Sequence, residues 1–183
     1  MKKAAVLLAD GFEEIEALTV VDLLRRARVY VDTISITEEY MVHGAHGINV
    51  QTEDLFDEVN FVEFDMVVLP GGMPGTTNLN EHSGVRRVVK DFAESGKYVA
   101  AICAAPSILG GLGLLKGKRA ACYPSVEDKL PGAVIVKAPV VQDGNIITSR
   151  GMGTAIDFSL RLVEILMDRV KADELAESIV YLK

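Results

Sequence analysis

Cys103 lies in the segment VAAICAAPS, with Ala101 and Ala105 two residues to either side of it. Small neighbours at that spacing let a chain turn sharply and lift a reactive atom clear of the backbone, as glycines do around the serine of a nucleophile elbow. Pro106 follows, and proline is favoured at the first helical position, so a helix over APSILGGLGLL is predicted to start just after the cysteine. The free N–H groups and positive end of such a helix favour a thiolate over a thiol, which predicts a depressed pKa and a ready oxyanion site. The plainer alternative is an inert buried cysteine, which the elbow spacing argues against. Cys122 has no elbow and sits in a strand pattern, so it reads as structural.

Glu16 is the second informative residue. On a helical wheel advancing about 100° per residue, it falls beside Val20, Leu23 and Ala27 on the apolar stripe, while Asp22, Arg25 and Arg26 mark the wet face. A carboxyl on a core-facing stripe must be paired or keep its proton, and like-charge repulsion from Glu13 and Glu14 would raise its pKa further. Glu13 and Glu14 themselves read as complements of a helix N-terminus. Gly71 and Gly72, after an apolar run, could bring a backbone N–H close to a ligand, although paired glycines at a strand end also occur as plain turns. His43 and His46 form an H-x-x-H in a glycine-rich loop without an evident third ligand, so no metal is expected; His82, near a helix start, is expected to face solvent.

The elements that must position these groups alternate along the chain. KAAVLLA is a short apolar strand ended by Asp10-Gly11, and IEALTVVDLLRRA is a helix. VYVDTISI and FDMVVLPGG read as further strands. Ser83 can cap a helix over GVRRVVKDFAES, in which Val85, Val88, Val89 and Phe92 share a face and Gly96 is the stop. KYVAAIC is a buried strand ending at Cys103, KRAACYP another short strand, and VVQDGNIITSRG a hairpin about Asp143-Gly144-Asn145. TAIDFSLRLVEILMD and ADELAESIVYL are predicted to close the chain as two helices. This order specifies a mostly parallel sheet with helices on both faces, whose ligands bind where the strands' C-terminal ends converge. Asp10 to Glu16, Pro70 to Pro74, Cys103 to Pro106 and Tyr123-Pro124 all fall there.

At 183 residues, 49% apolar and 25% charged, residues 1–183 are expected to form one globular domain. A net charge of -7 and a pI near 5.0 exclude a phosphate-backbone partner, since nucleic-acid binding needs a basic face and Arg25-Arg26, Arg86-Arg87 and Lys116, Lys118, Arg119 are short and scattered. No run approaches the roughly 20 apolar residues of a membrane span, and MKKAAVLLADGFEE turns acidic where a signal peptide needs a cleavage site. A cytoplasmic protein is expected, with both cysteines as thiols rather than a disulfide.

Taken together, ADGFEEIEA, VVLPGGMPG, VAAICAAPS and TSRGMGTAIDF resemble the ThiJ/PfpI superfamily, in particular the branch of the parkinsonism-associated deglycase and its bacterial relatives. The four motifs are in order and span nearly the whole chain. The resemblance implies a flavodoxin-like three-layer sandwich with a cysteine nucleophile elbow, a homodimer and no cofactor. It implies that Cys103 is the nucleophile, that Glu16 hydrogen-bonds to it, and that Gly72 and Ala104 supply oxyanion N–H groups. Tyr123, Glu13, Gly71 and His46 are the further residues expected at the pocket. The activities it implies are glyoxalase III conversion of methylglyoxal to lactate, deglycation of glycated adducts, intracellular proteolysis, holdase chaperoning and oxidative-stress sensing. Two departures stand out. Tyr123 occupies the place of a histidine carried by many members, which leaves a cysteine peptidase without its base. His46 stands where others have an arginine near the pocket mouth.

Overall fold

The computed structural model describes residues 1–181. The first strand, β1 (Lys3–Leu8), is followed by α1 (Glu14–Arg26) and β2 (Tyr30–Ser35). Three short strands come next, β3 (Met41–His43), β4 (Asn49–Gln51) and β5 (Asp54–Leu55), then β6 (Met66–Leu69), α2 (Gly75–Glu81) and α3 (Ser83–Ser95). β7 (Tyr98–Ile102) leads through Cys103 into α4 (Pro106–Gly111). The remainder is β8 (Arg119–Ala120), β9 (Val134–Ile135), the pair β10 (Val140–Asp143) and β11 (Ile146–Ser149), α5 (Ala155–Leu166) and α6 (Arg169–Ser178).

Seven strands form the main sheet in the order β10-β11-β7-β6-β1-β2-β5. Every pairing is parallel except β10 with β11, the hairpin expected about Gly144, whose φ of +63° suits the turn. The period of two along β1 divides the core. Ala4, Val6 and Leu8 pack with Val20, Leu24, Phe158 and Leu162 of α1 and α5, whereas Ala5, Leu7 and Ala9 pack with Leu79, Val85, Val89, Phe92 and Ile108 of α2, α3 and α4. A sheet buried on both faces needs continuous apolar strands, and this is the flavodoxin-like three-layer arrangement.

Several local expectations change. α3 starts at Ser83, but its cap is His82, whose Nδ1 accepts the Val85 N–H at 3.1 Å and whose ring stands edge-on to Phe56 at 4.7 Å; the histidine is therefore half-buried rather than facing solvent. Gly96, at φ +79°, ends that helix as predicted. α4 has only six residues, because Gly110, Gly111 and Gly113 weaken it and the chain turns at Gly113 with φ +74°. The strand expected over KRAACYP is reduced to β8, which pairs with β9 outside the main sheet. The glycine-rich loop carrying both histidines is an antiparallel pair, β3 with β4, that returns over α1. α6 begins earlier than predicted and ends at Ser178; Leu182, the end of the predicted helix, lies outside the described residues. No described helix is long and apolar enough to cross a membrane.

Candidate active site

β7 delivers Cys103 to the C-terminal edge of the sheet, and the chain reverses there. Cys103 has φ +65°, a left-handed conformation that costs a non-glycine residue about 1–3 kcal/mol and persists only where its surroundings hold it. Two backbone bonds do so: the Cys103 N–H donates to Ser149 O at 3.0 Å, and the Tyr123 N–H donates to Cys103 O at 2.8 Å. Ser149 is itself fixed, since its fully buried hydroxyl donates to Pro139 O at 2.6 Å and lies 2.7 Å from Thr154 Oγ1. This support, placed by TSRG at the end of β11, is a part of the site that the residue types alone did not single out. The turn leaves the thiol half-exposed, with the backbone N–H groups of Ala104 and Gly72 directed at its sulfur.

Glu16 lies where the wheel puts it, 1% exposed on the core side of α1. Its Oε2 accepts the Gly71 N–H at 2.8 Å, and the carboxyl also hydrogen-bonds with the Cys103 thiol. Burial pushes its pKa from 4.5 to about 7; the bonds from Cys103 and Gly71 oppose that rise, and the Glu13 charge adds to it. The thiol moves in the direction opposite to the expected one. Burial, then the charge and hydrogen bond of Glu16, push Cys103 up to about 12, and the N–H groups of Ala104 and Gly72 recover only part of this. A six-residue helix does not outweigh a desolvated sulfur beside a carboxylate. The pair consequently passes from two protons to one near pH 7, where Glu16 ionises while the thiol keeps its proton, and the two groups titrate as a coupled pair.

Gly71 and Gly72 are required by space. A Cβ on Gly71 would stand 2.6 Å from Glu16 Oε2 and 2.7 Å from Cys103 Cβ, so any side chain there would wedge the pair apart. Gly72 has φ +91° and packs against the backbone of Gly11, Phe12 and Glu13.

The other predicted residues separate. Glu14 stands in the first turn of α1, as a complement of the helix end should, but it is also buried. It is 3% exposed, and its Oε1 accepts the His46 N–H at 2.6 Å while Oε2 lies 2.8 Å from His46 Nδ1. Burial opposes its ionisation, but the His46 ring and the backbone N–H groups of Glu14, His46 and Ile48 outweigh it and hold the carboxyl at about 2. Glu13 Oε2 lies 3.6 Å from the same His46 nitrogen. Glu13, Glu14 and His46 thus form one cluster, whereas His43 turns away to Asp10 at 3.2 Å, so the H-x-x-H does not converge. Tyr123 meets Cys103 through its backbone, and its side chain is about half exposed. The three histidines of the chain bond to Asp10, Glu14 and the Val85 N–H, none of them to the Cys103 thiol. Cys122 is buried and its thiol pushed up to about 11 by burial, as suits a structural residue.

Residues 2–165 match the sequence model of the DJ-1/PfpI family. The chain is 39% identical over 181 residues to the protein named DJ-1 homolog B of Arabidopsis thaliana, covering 98% of this chain and 41% of that one, so it spans less than half the length of that relative. It is 36% identical over 169 residues to a protein of Thermococcus kodakarensis named a deglycase, covering 90% of this chain and 99% of that one. Among solved structures, oxidized DJ-1 of Toxoplasma gondii superposes with a TM-score of 0.96 at 33% identity, covering 100% of both chains.

Proposed function

This chain belongs to the DJ-1/PfpI family, and on that premise we propose that it is a cysteine-dependent enzyme acting on small reactive dicarbonyls or the adducts they form, without metal or cofactor. The observation that carries the reading is the buried Glu16 carboxyl hydrogen-bonded to the Cys103 thiol, set beneath the N–H groups of Gly72 and Ala104. With a thiol that ionises so reluctantly, attack is concerted: Cys103 Sγ adds to the aldehyde carbon while the Glu16 carboxylate takes the thiol proton. The aldehyde oxygen becomes the oxyanion that the two N–H groups hold, and it is neutralised as a hemithioacetal. Glu16 then moves the hydrogen of the former aldehyde carbon to the neighbouring carbonyl carbon through an enediol. The first carbon is oxidised by two electrons and the second reduced by two, so no outside oxidant is needed. The resulting thioester is hydrolysed by water, which releases lactate when the substrate is methylglyoxal and restores the thiol. A deglycase of 90% coverage among the relatives supports this chemistry over hydrolysis of peptides, for which no imidazole bonds to the thiol.

The test is purified protein with methylglyoxal and neither glutathione nor added metal, with lactate followed by proton NMR. Lactate at a rate that vanishes in Cys103→Ala supports the reading; an equal rate in the variant refutes it.

A second reading, oxidation sensing at the same sulfur, is favoured by the oxidized relative. Two equivalents of peroxide would each deliver one oxygen to Cys103 and leave as water, giving a sulfinate that a protonated Glu16 can hold. Intact mass after mild peroxide, two oxygens heavier in wild type and unchanged in Cys103→Ser, distinguishes this role. We also infer a cytoplasmic homodimer. Supporting the dimer, Ile15, Leu18, Ile48 and Ile156 leave an apolar face beside a groove of about 650 Å³ along α1.

A further inference from the structure

The cluster at the entrance to α1 connects the reactive pair to the surface. Glu16 is repelled by Glu13, and Glu13 Oε2 lies 3.6 Å from His46 Nδ1. The same nitrogen lies 2.8 Å from Glu14 Oε2, and the imidazole is 67% exposed. Among the described residues no lysine or arginine forms an ion pair with Glu13 or Glu14, so His46 is the group that balances them. The neighbouring charged pair on β3 is His43 with Asp10, which are bonded to each other.

We propose that His46, although outside the reactive pair, is a positioning residue that balances Glu13 and through it governs when Glu16 is free to take the proton of the Cys103 thiol. When His46 is charged, the field of Glu13 at Glu16 is offset and Glu16 releases its proton more readily. When His46 is neutral, Glu13 acts on Glu16 unopposed and the proton is retained. The hydrogen bond of Glu14, then the charges of Glu13 and Glu14, raise the proton affinity of the imidazole, so His46 keeps its charge to higher pH than a free imidazole does. Two groups that influence each other in this way lose their protons over a wider pH range than either would alone. The site would thereby keep part of its reactivity as pH drifts about neutrality. This inference deepens the proposed function and rests on the same pair, but its test does not need dicarbonyl turnover.

The measurement is the rate of Cys103 alkylation by iodoacetamide against pH, read by intact mass, with Cys103→Ser as the control that assigns the added mass. All variants are compared at one protein concentration. His46→Gln should move the rising limb up by about half a pH unit, and Glu13→Gln should move it down by a similar amount, the size expected for a partly screened charge. His46→Arg, which keeps a cation, should leave the limb at or below the wild-type position. At about 1 M salt, where the Debye length is about 3 Å, the gap between wild type and His46→Gln should shrink. Limbs that coincide in all variants overturn the proposal, as do shifts of His46→Gln and Glu13→Gln in the same direction or a gap indifferent to salt. If alkylation responds as stated while methylglyoxal is not turned over, the relay stands and the enzymatic reading falls.

Discussion

Two buried carboxyls in this molecule have nearly the same affinity for a proton and opposite surroundings. Glu16 and Asp32 are 1% and 4% exposed, and burial leads the rise of each to about 7. Asp32 sits on β2 within hydrogen-bonding reach of Asp54 on β5, near Glu53 and Arg25, and its Oδ1 has no hydrogen-bond partner. Asp32 keeps its proton there beside a second carboxyl near the edge of the sheet. Glu16 holds its proton beside a thiol on a left-handed turn, under two N–H groups. Perturbed proton affinity therefore marks burial in both regions, and only one of them sets a thiol beside the acid. The geometry of the partners makes the distinction.

Substitution should separate the regions most widely in turnover. Glu16→Gln keeps the shape and removes the acid, and a loss of about 10²–10⁴-fold in methylglyoxal turnover is expected for a missing proton shuttle. Asp32→Asn should stay within about twofold, as expected of a change remote from the chemistry. Comparable losses in the two variants would erase the contrast.

Gly72→Ala is next in size. It removes or misdirects one oxyanion N–H and forces a side chain into a left-handed position, so kcat should fall about 10²-fold and stability by about 1–3 kcal/mol. Steady-state kinetics and urea denaturation measure the two effects. An unchanged kcat in folded protein would show that the Gly72 N–H is idle.

The smallest effect is on stability and belongs to both regions. Each carboxyl holds its proton in the folded chain to a higher pH than in the unfolded chain. The folded state thus binds more protons between about 4 and about 7, and stability must fall as pH rises through that window, then level off. Glu14, held at about 2, works in the other direction, with a contribution lost only below the ordinary carboxylate range. Asp32→Asn should flatten the decline by roughly 1–3 kcal/mol at pH 8, measured by urea denaturation between pH 5 and 8. A curve parallel to wild type would mean that Asp32 does not keep its proton in the folded chain.

What the sequence made legible follows from how local each signal is. The turn at Cys103 is marked by Ala101, Ala105 and Pro106 within six residues, and the place of Glu16 on the apolar stripe depends on α1 alone. The alternation of strands and helices is also local, and it leads to the layered sheet. The ionisation of Cys103 departs from the sequence expectation because the dipole of a helix can be read in sequence, whereas the desolvation of a sulfur and the arrival of a carboxylate from 87 positions upstream are tertiary effects. The burial of Glu14 is tertiary in the same way. Its burial is created by β3 and β4 folding back, and nothing in EEIE announces that return. Asp32 sits inside a strand of ordinary alternation, and its partner is brought to it by β5 pairing with β2.

The central claim is that Glu16 and Cys103 act as one acid rather than that a lone cysteine reacts. The pH dependence of kcat/KM for lactate formation from methylglyoxal tests it most directly. A rising limb near pH 7 that is abolished with the activity in Glu16→Gln is the expected result. A limb near the ordinary thiol range of about 8.5, unchanged by Glu16→Gln, would contradict it.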